Sequence, residues 1–99
     1  METNSSVKEK ENAKLKEPSK YSVILHNDDF TTMEFVVLIL TTIFGKSETE
    51  ANEIMMQVHK EGKGIAGVYS YDIAHSKANK AKKKAHENGF PLKLTVEKE

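Results

Sequence analysis

The densest group of chemically capable side chains is His26-Asn27-Asp28-Asp29, which ends one apolar run and precedes another. Four chemistries suit these residue types. Asn and Asp build turns by bonding nearby backbone N–H groups, and acidic groups favour a helix N-terminus, so the cluster can be purely structural. His26, Asp28 and Asp29, with His59, also offer metal ligands, but the chain has no tightly spaced His pair and no Asp-x-Asp-x-Asp-Gly loop. A carboxylate pair suggests acid–base catalysis, yet adjacent Asp residues on a turn seldom aim at one substrate, and no nucleophile or cofactor motif accompanies them. The fourth chemistry is cation recognition. Acceptor side chains beside an apolar helix face make a site negative at the rim and apolar inside, which matches a free α-ammonium group next to a hydrophobic side chain. His59, four residues after Met55 on the same helical face, fits a partly buried histidine with a backbone partner as well as a ligand. Met33, Met55 and Met56 fit core filling as well as recognition.

The elements that position these residues can be read from periodicity. Tyr21, Val23 and Leu25 alternate with Ser22, Ile24 and His26 as a strand. Thr31 and Glu34 have capping-box spacing and Phe30 and Phe35 that of a hydrophobic staple, which starts a helix with the apolar face Met33, Val36, Val37, Leu40, Ile43 and Phe44. Gly45 suits its end. Ser47 and Glu50 repeat the capping box for a second helix with the stripe Ala51, Ile54, Met55 and Val58, stopped by Gly62 and Gly64. A second strand is expected over 65–71. Ser70 can cap a third helix from Tyr71 to about Asn88, with Ile73, Ala74, Ala78, Ala81 and Ala85 inward and five Lys between positions 77 and 84. Leu92, Leu94 and Val96 alternate as a last strand. The fold expected is α+β: a small three-stranded, mostly antiparallel sheet with three helices packed on one face, in the order β-α-α-β-α-β.

Composition bounds the function. Ninety-nine residues allow one domain with a thin core. Residues 1–20, in which Lys and Glu alternate with few apolar residues, are expected to be a disordered extension, leaving 21–99 as the folded domain. The formal net charge is zero and all fifteen basic residues are Lys, whereas nucleic-acid binders use a basic balance and Arg. Without Cys there are no disulfides, thiolate chemistry or Cys-based zinc sites. No apolar run reads as a secretory signal or membrane span, so a cytoplasmic protein is expected; its small size makes a monomer the expectation, and without ligand-spaced motifs no cofactor or metal is expected.

Three blocks of this sequence resemble the ClpS family, adaptors of the ClpAP and ClpCP proteases in the bacterial N-end rule pathway. They are Tyr21 to Leu25 followed by Asn27-Asp28-Asp29-Phe30-Thr31 and Met33-Glu34-Phe35-Val36; Met55 with Val58-His59, Gly62-Lys63 and Gly67-Val68-Tyr69; and Pro91-Leu92. They lie in order over nearly all of residues 21–99. The resemblance implies a non-catalytic adaptor that binds proteins whose first residue is Leu, Phe, Tyr or Trp and delivers these N-degron substrates to a hexameric Clp ATPase. It implies that Asn27, Asp28, Asp29 and His59 surround the substrate's α-amino group. Thr31, Met33, Val36, Met55, Val58 and Leu92 are expected to line the side-chain pocket, with Met33 screening out β-branched first residues. Asp72 and Lys77 match positions that touch the N-terminal domain of a ClpA-type or ClpC-type ATPase, and the residues before Tyr21 match an extension that aids delivery. Two positions depart from the family pattern: Glu is usual where this chain has Asp72, and an acid is common where it has His75. The C-terminal domain of the ribosomal stalk protein has a related architecture and binds translation factors, but needs no Asn-Asp-Asp cluster beside a Met-lined pocket.

Overall fold

The central strand of the sheet is β1 (Tyr21–His26), flanked by β2 (Lys63–Tyr69) and β3 (Lys93–Lys98) in the order β2-β1-β3, with both pairings antiparallel. Helices α1 (Met33–Thr42) and α2 (Glu48–Glu61) connect β1 to β2, and α3 (Tyr71–Glu87) connects β2 to β3. This computed structural model describes residues 18–99. Most of the extension expected over residues 1–20 therefore lies outside the described residues. Within residues 18–20, the Lys20 carbonyl accepts a bond from the Glu99 N–H at 2.8 Å, continuing the β1–β3 pairing by one step.

The second helix is where its local signals put it. Ser47 and Glu50 form the full reciprocal capping box of α2, side chain to backbone in both directions at 3.1 and 3.0 Å. Gly62 ends α2 in the left-handed region at φ 92°, a conformation that is costly for residues with a Cβ. It turns the chain at once into β2, which therefore starts and ends two residues earlier than the periodicity suggested. Ser70 occupies the N-cap of α3 but makes no side-chain capping bond.

The core lies between one face of the sheet and the helices. Val23, Leu25 and Leu94 project into it from the strands, and Phe35, Ile39 and Leu40 from α1. From α3 come Ala74, Ala78, Ala81 and Ala85, a small-residue stripe that lets that helix lie close against the larger sheet residues. Ile73, expected in this inward stripe, is instead 49% exposed. Its place one residue before Ala74 carries it round the helix, since only i, i+3 and i+4 neighbours share a face.

Gly64 sets the distance between α2 and β2. A Cβ there would lie 2.9 Å from Cγ2 of Val58, so the glycine permits the close approach that brings the end of α2 over the end of β1. A bulge in β2 accompanies the register change between Val23 and Ile24 and leaves Ala66 and Gly67 both buried.

Candidate functional site

The turn leaving β1 is organised by Asp28. Its Oδ1 accepts from the backbone N–H groups of Phe30 and Thr31 at 2.8 and 2.7 Å, and its Oδ2 from the Thr31 hydroxyl at 2.8 Å. Partial burial pushes this carboxyl upward, but the three bonds outweigh it and hold its pKa below the ordinary aspartate value. Because Thr31 is engaged backward in this way, it does not cap α1. Thr32 is the N-cap, accepting from the Phe35 N–H at 3.1 Å. The expected Phe30–Phe35 staple is likewise absent: Phe35 is buried against Phe90, ring centroids 4.8 Å apart, while Phe30 faces solvent.

Beside this turn opens a cavity of about 540 Å³. It sits where the end of β1, the start of α1 and the last turns of α2 meet, and the bond from the Asn27 N–H to the Gly62 carbonyl at 2.8 Å ties the first of these to the last. Asn27, Asp28, Asp29 and His59 all border the cavity, as do Thr31, Met33, Val36, Met55 and Val58. Val36 and Val58 are buried at its floor, and Met33, 42% exposed, stands at its mouth. Polar acceptors thus meet apolar side chains in one concavity, the juxtaposition a hydrophobic ammonium compound requires.

Four residues singled out from the sequence lie elsewhere. Leu92 does not border the cavity; it is 7% exposed and belongs to the core. His26 faces away, on the sheet surface opposite the core, where its Nε2 is 2.8 Å from the Thr95 hydroxyl. Partial burial, then Lys93 and Lys63, lower its pKa, with Glu97 opposing. Asp72 is exposed in the first turn of α3. Lys77 is half-buried: its ammonium donates to the Ile43 carbonyl at the end of α1 at 2.8 Å and lies 5.3 Å from the Tyr69 ring centroid. Among the described residues, no three His, Asp or Glu side chains are gathered as a metal site would need.

Phe30, Thr32 and Glu34 also border the cavity and were not among the expected pocket residues. Sequence reasoning assigned Phe30 and Glu34 to helix initiation, which hid them. The signal that could have found them is the second Thr: moving the cap from Thr31 to Thr32 releases both.

The model of the family "ATP-dependent Clp protease adaptor protein ClpS" matches residues 16–95. The chain belongs to the ClpS family. Among its ClpS relatives, the Clp protease adapter of Clostridium acetobutylicum is 56% identical over 87 residues, covering 88% of this chain and 86% of the relative. That of Acetivibrio thermocellus is 50% identical over 99 residues, the full length of both chains. A solved structure of ClpS2 of Agrobacterium tumefaciens, bound to L-phenylalaninamide, superposes with a TM-score of 0.80 at 41% identity, covering 83% of this chain and 99% of the other. The sheet order and the three helices described above are therefore those of a ClpS adaptor. No helix among the described residues is long and apolar enough to cross a membrane.

Proposed function

We propose that this ClpS-family chain is a non-catalytic adaptor that binds the free N-terminal residue of proteins beginning with Leu, Phe, Tyr or Trp, and presents them to the N-terminal domain of a ClpA-type or ClpC-type ATPase. The observation that carries this reading is the pairing, in one cavity, of the Asn27-Asp28-Asp29-His59 rim with the wall of Thr31, Met33, Val36, Met55 and Val58. L-phenylalaninamide, bound by the Agrobacterium relative, has the same two halves: an α-ammonium group and an aromatic side chain. Its carboxamide stands in for a first peptide bond.

The hydrogen bonds divide the rim's roles. Both Asp28 oxygens already serve the turn, so Asp28 acts as the positioning residue. Asp29 and Asn27, exposed beside it, are the acceptors offered to the ammonium, with His59 across the mouth. Burying a Leu or Phe side chain contributes about 1.5–3 kcal/mol, and each hydrogen bond to a charged group about 1.5–3 kcal/mol. Two or three such bonds plus the pocket, less the cost of association, reach roughly −8 kcal/mol, or micromolar affinity. That suits an adaptor that must release its cargo.

The docking surface we assign to the start of α3, where Asp72 is exposed beside Tyr71 and Ile73. Lys77, with its ammonium turned to Ile43, reaches a partner only at the edge of that surface.

The test is fluorescence anisotropy with two labelled peptides that differ only in a free or an acetylated leading Leu. Micromolar binding of the free form alone is expected, because acetylation removes the charge. Equal binding of both overturns the rim assignment.

A further inference from the structure

Phe30 is the most exposed large apolar side chain among the described residues, at 75%, and yet its main chain is tied down. The bond from its N–H to Asp28 Oδ1 fixes the main chain of the turn from which the ring projects. It stands on a ridge between two concavities. One is the cavity that begins at Asn27. The other is a hollow of about 550 Å³ formed by Phe30, His86, Gly89, Phe90 and Pro91. The far wall of this hollow is fixed as well. The Phe90 ring packs on Phe35, its N–H donates to the Ala85 carbonyl at 2.9 Å, and the Gly89 N–H donates to the His86 carbonyl at 3.0 Å. The Phe90 wall, already set in position, loses little freedom when a ligand arrives, and the Phe30 ring projects from a turn whose main chain is fixed.

We propose that this second hollow binds the stretch of substrate just behind its first residue, taking an apolar or aromatic side chain at the second or third position between Phe30 and Phe90. The proposal rests on the N-terminal reading of the first cavity. Its occupant follows from continuity: Phe30 borders both concavities, and a chain anchored by its first residue must leave across the rim. Each extended residue spans about 3.3–3.6 Å, so the second and third residues cross a ridge one side chain wide. Aromatic rings at such a site gain from offset or edge-on packing beyond the area they bury. The other exit, past Met33 and Met55, opens on a smaller hollow of about 370 Å³ that includes Glu34 and Glu48. Two carboxylates there would favour a basic residue over an apolar one, so the two routes predict different preferences.

The experiment measures anisotropy for Leu-Ala-Ala, Leu-Phe-Ala, Leu-Ala-Phe and Leu-Lys-Ala peptides of one length, on the full chain and on Phe30→Ala and Pro91→Ala. The expected result is that Phe at position two or three tightens binding about ten-fold, which is about 1.4 kcal/mol. Either substitution should remove most of that gain, so that the loss depends on the peptide's Phe. A gain that survives both substitutions, or a gain for Lys in place of Phe, overturns the proposal in favour of the other exit or of a solvated tail. If Phe30→Ala leaves every peptide's affinity unchanged but slows substrate handover to the Clp ATPase, Phe30 belongs to the ATPase contact and the proposal fails. If no free-amine Leu peptide binds, the N-terminal reading fails too, and this hollow loses its occupant with it.

Discussion

Asp28 and Thr31 are joined twice, through the Thr31 N–H to one carboxylate oxygen at 2.7 Å and through the Thr31 hydroxyl to the other at 2.8 Å. With the Phe30 N–H also bonded, the ionised side chain of Asp28 is what shapes the rim on which Asn27 and Asp29 are mounted. Replacing Asp28 by Ala should cost about 1 kcal/mol of stability, as the loss of a helix-capping side chain does. The sign of the pH dependence follows from the direction of its shift. A carboxyl whose pKa is lower folded than unfolded stabilises the fold fully above the unfolded value of 3.8, and this contribution is lost as pH falls through the folded value. Urea melts of the full chain and Asp28→Ala should therefore differ at pH 6 and converge as the pH is taken below 3.8. A difference that stays constant over that range would mean that the charge of Asp28 plays no part.

Lys77 bears on two hypotheses at once, and its bond separates them. Its ammonium caps the carbonyl end of α1 at Ile43, where a cation also meets the favourable end of the helix dipole. Lys77→Ala should lose about 1–2 kcal/mol through that bond and the packing of the side-chain stem. The ATPase contact should suffer more from Asp72→Lys, which alters an exposed residue and no bond within the domain. Thermal melts paired with a pull-down on the isolated N-terminal domain of the ATPase check both: Lys77→Ala lowers the melting temperature and spares the capture, and Asp72→Lys lowers the capture far more than the small stability cost of a cation in the first turn of α3 accounts for. The reverse pattern would assign Lys77 to docking.

Gly64 links the fold to the cavity through a single contact. The Cβ added by Gly64→Ala would press on Cγ2 of Val58 from 2.9 Å. Val58 is β-branched and restricted in its rotamers. It is buried, and it lines the cavity. Overpacking of this kind costs about 1–3 kcal/mol, and the displaced Val58 should narrow the cavity. The expected outcome is a lower melting temperature together with a weaker affinity for Phe-first than for Leu-first peptides, since the larger side chain meets the displaced wall first. Affinities unchanged for both would show that β2 moves and Val58 does not.

What the sequence disclosed was the local physics. The capping box of Ser47 and Glu50, the left-handed Gly62 and the alanine stripe of α3 each depend on neighbours within a turn or two, and each stands where expected. What it could not disclose are the points where two local solutions compete or where tertiary register decides. With Thr31 and Thr32 adjacent, only the bond to Asp28 determines which one caps α1, and with the cap went the roles of Phe30 and Glu34. His26 and Asn27 are consecutive, yet the pleat turns His26 to the outer face while Asn27 borders the cavity. Leu92 continues the alternation of β3 into the core, so its apolar character alone could not say whether it faces a ligand or other side chains.

Met33 stands at the mouth of the cavity, 42% exposed, and borders both the main cavity and the smaller hollow beside it. Under the N-terminal reading proposed above, a side chain there would crowd the Cβ of an incoming first residue, which is where Ile and Val branch and Leu does not. Met33→Ala removes that crowding without opening a hole in the core, so stability should change by no more than about 0.5–1 kcal/mol. Discrimination between Leu-first and Ile- or Val-first peptides should fall by about ten-fold, the scale of one methylene's worth of selectivity in an apolar pocket. Anisotropy with three peptides that differ only in the first residue measures it directly. The expected signature is a gain for Ile and Val with little change for Leu. If the variant binds all three more weakly in proportion, Met33 acts as general apolar wall, and the screening against branched residues must be sought at Thr31 and Val36 on the same side of the cavity.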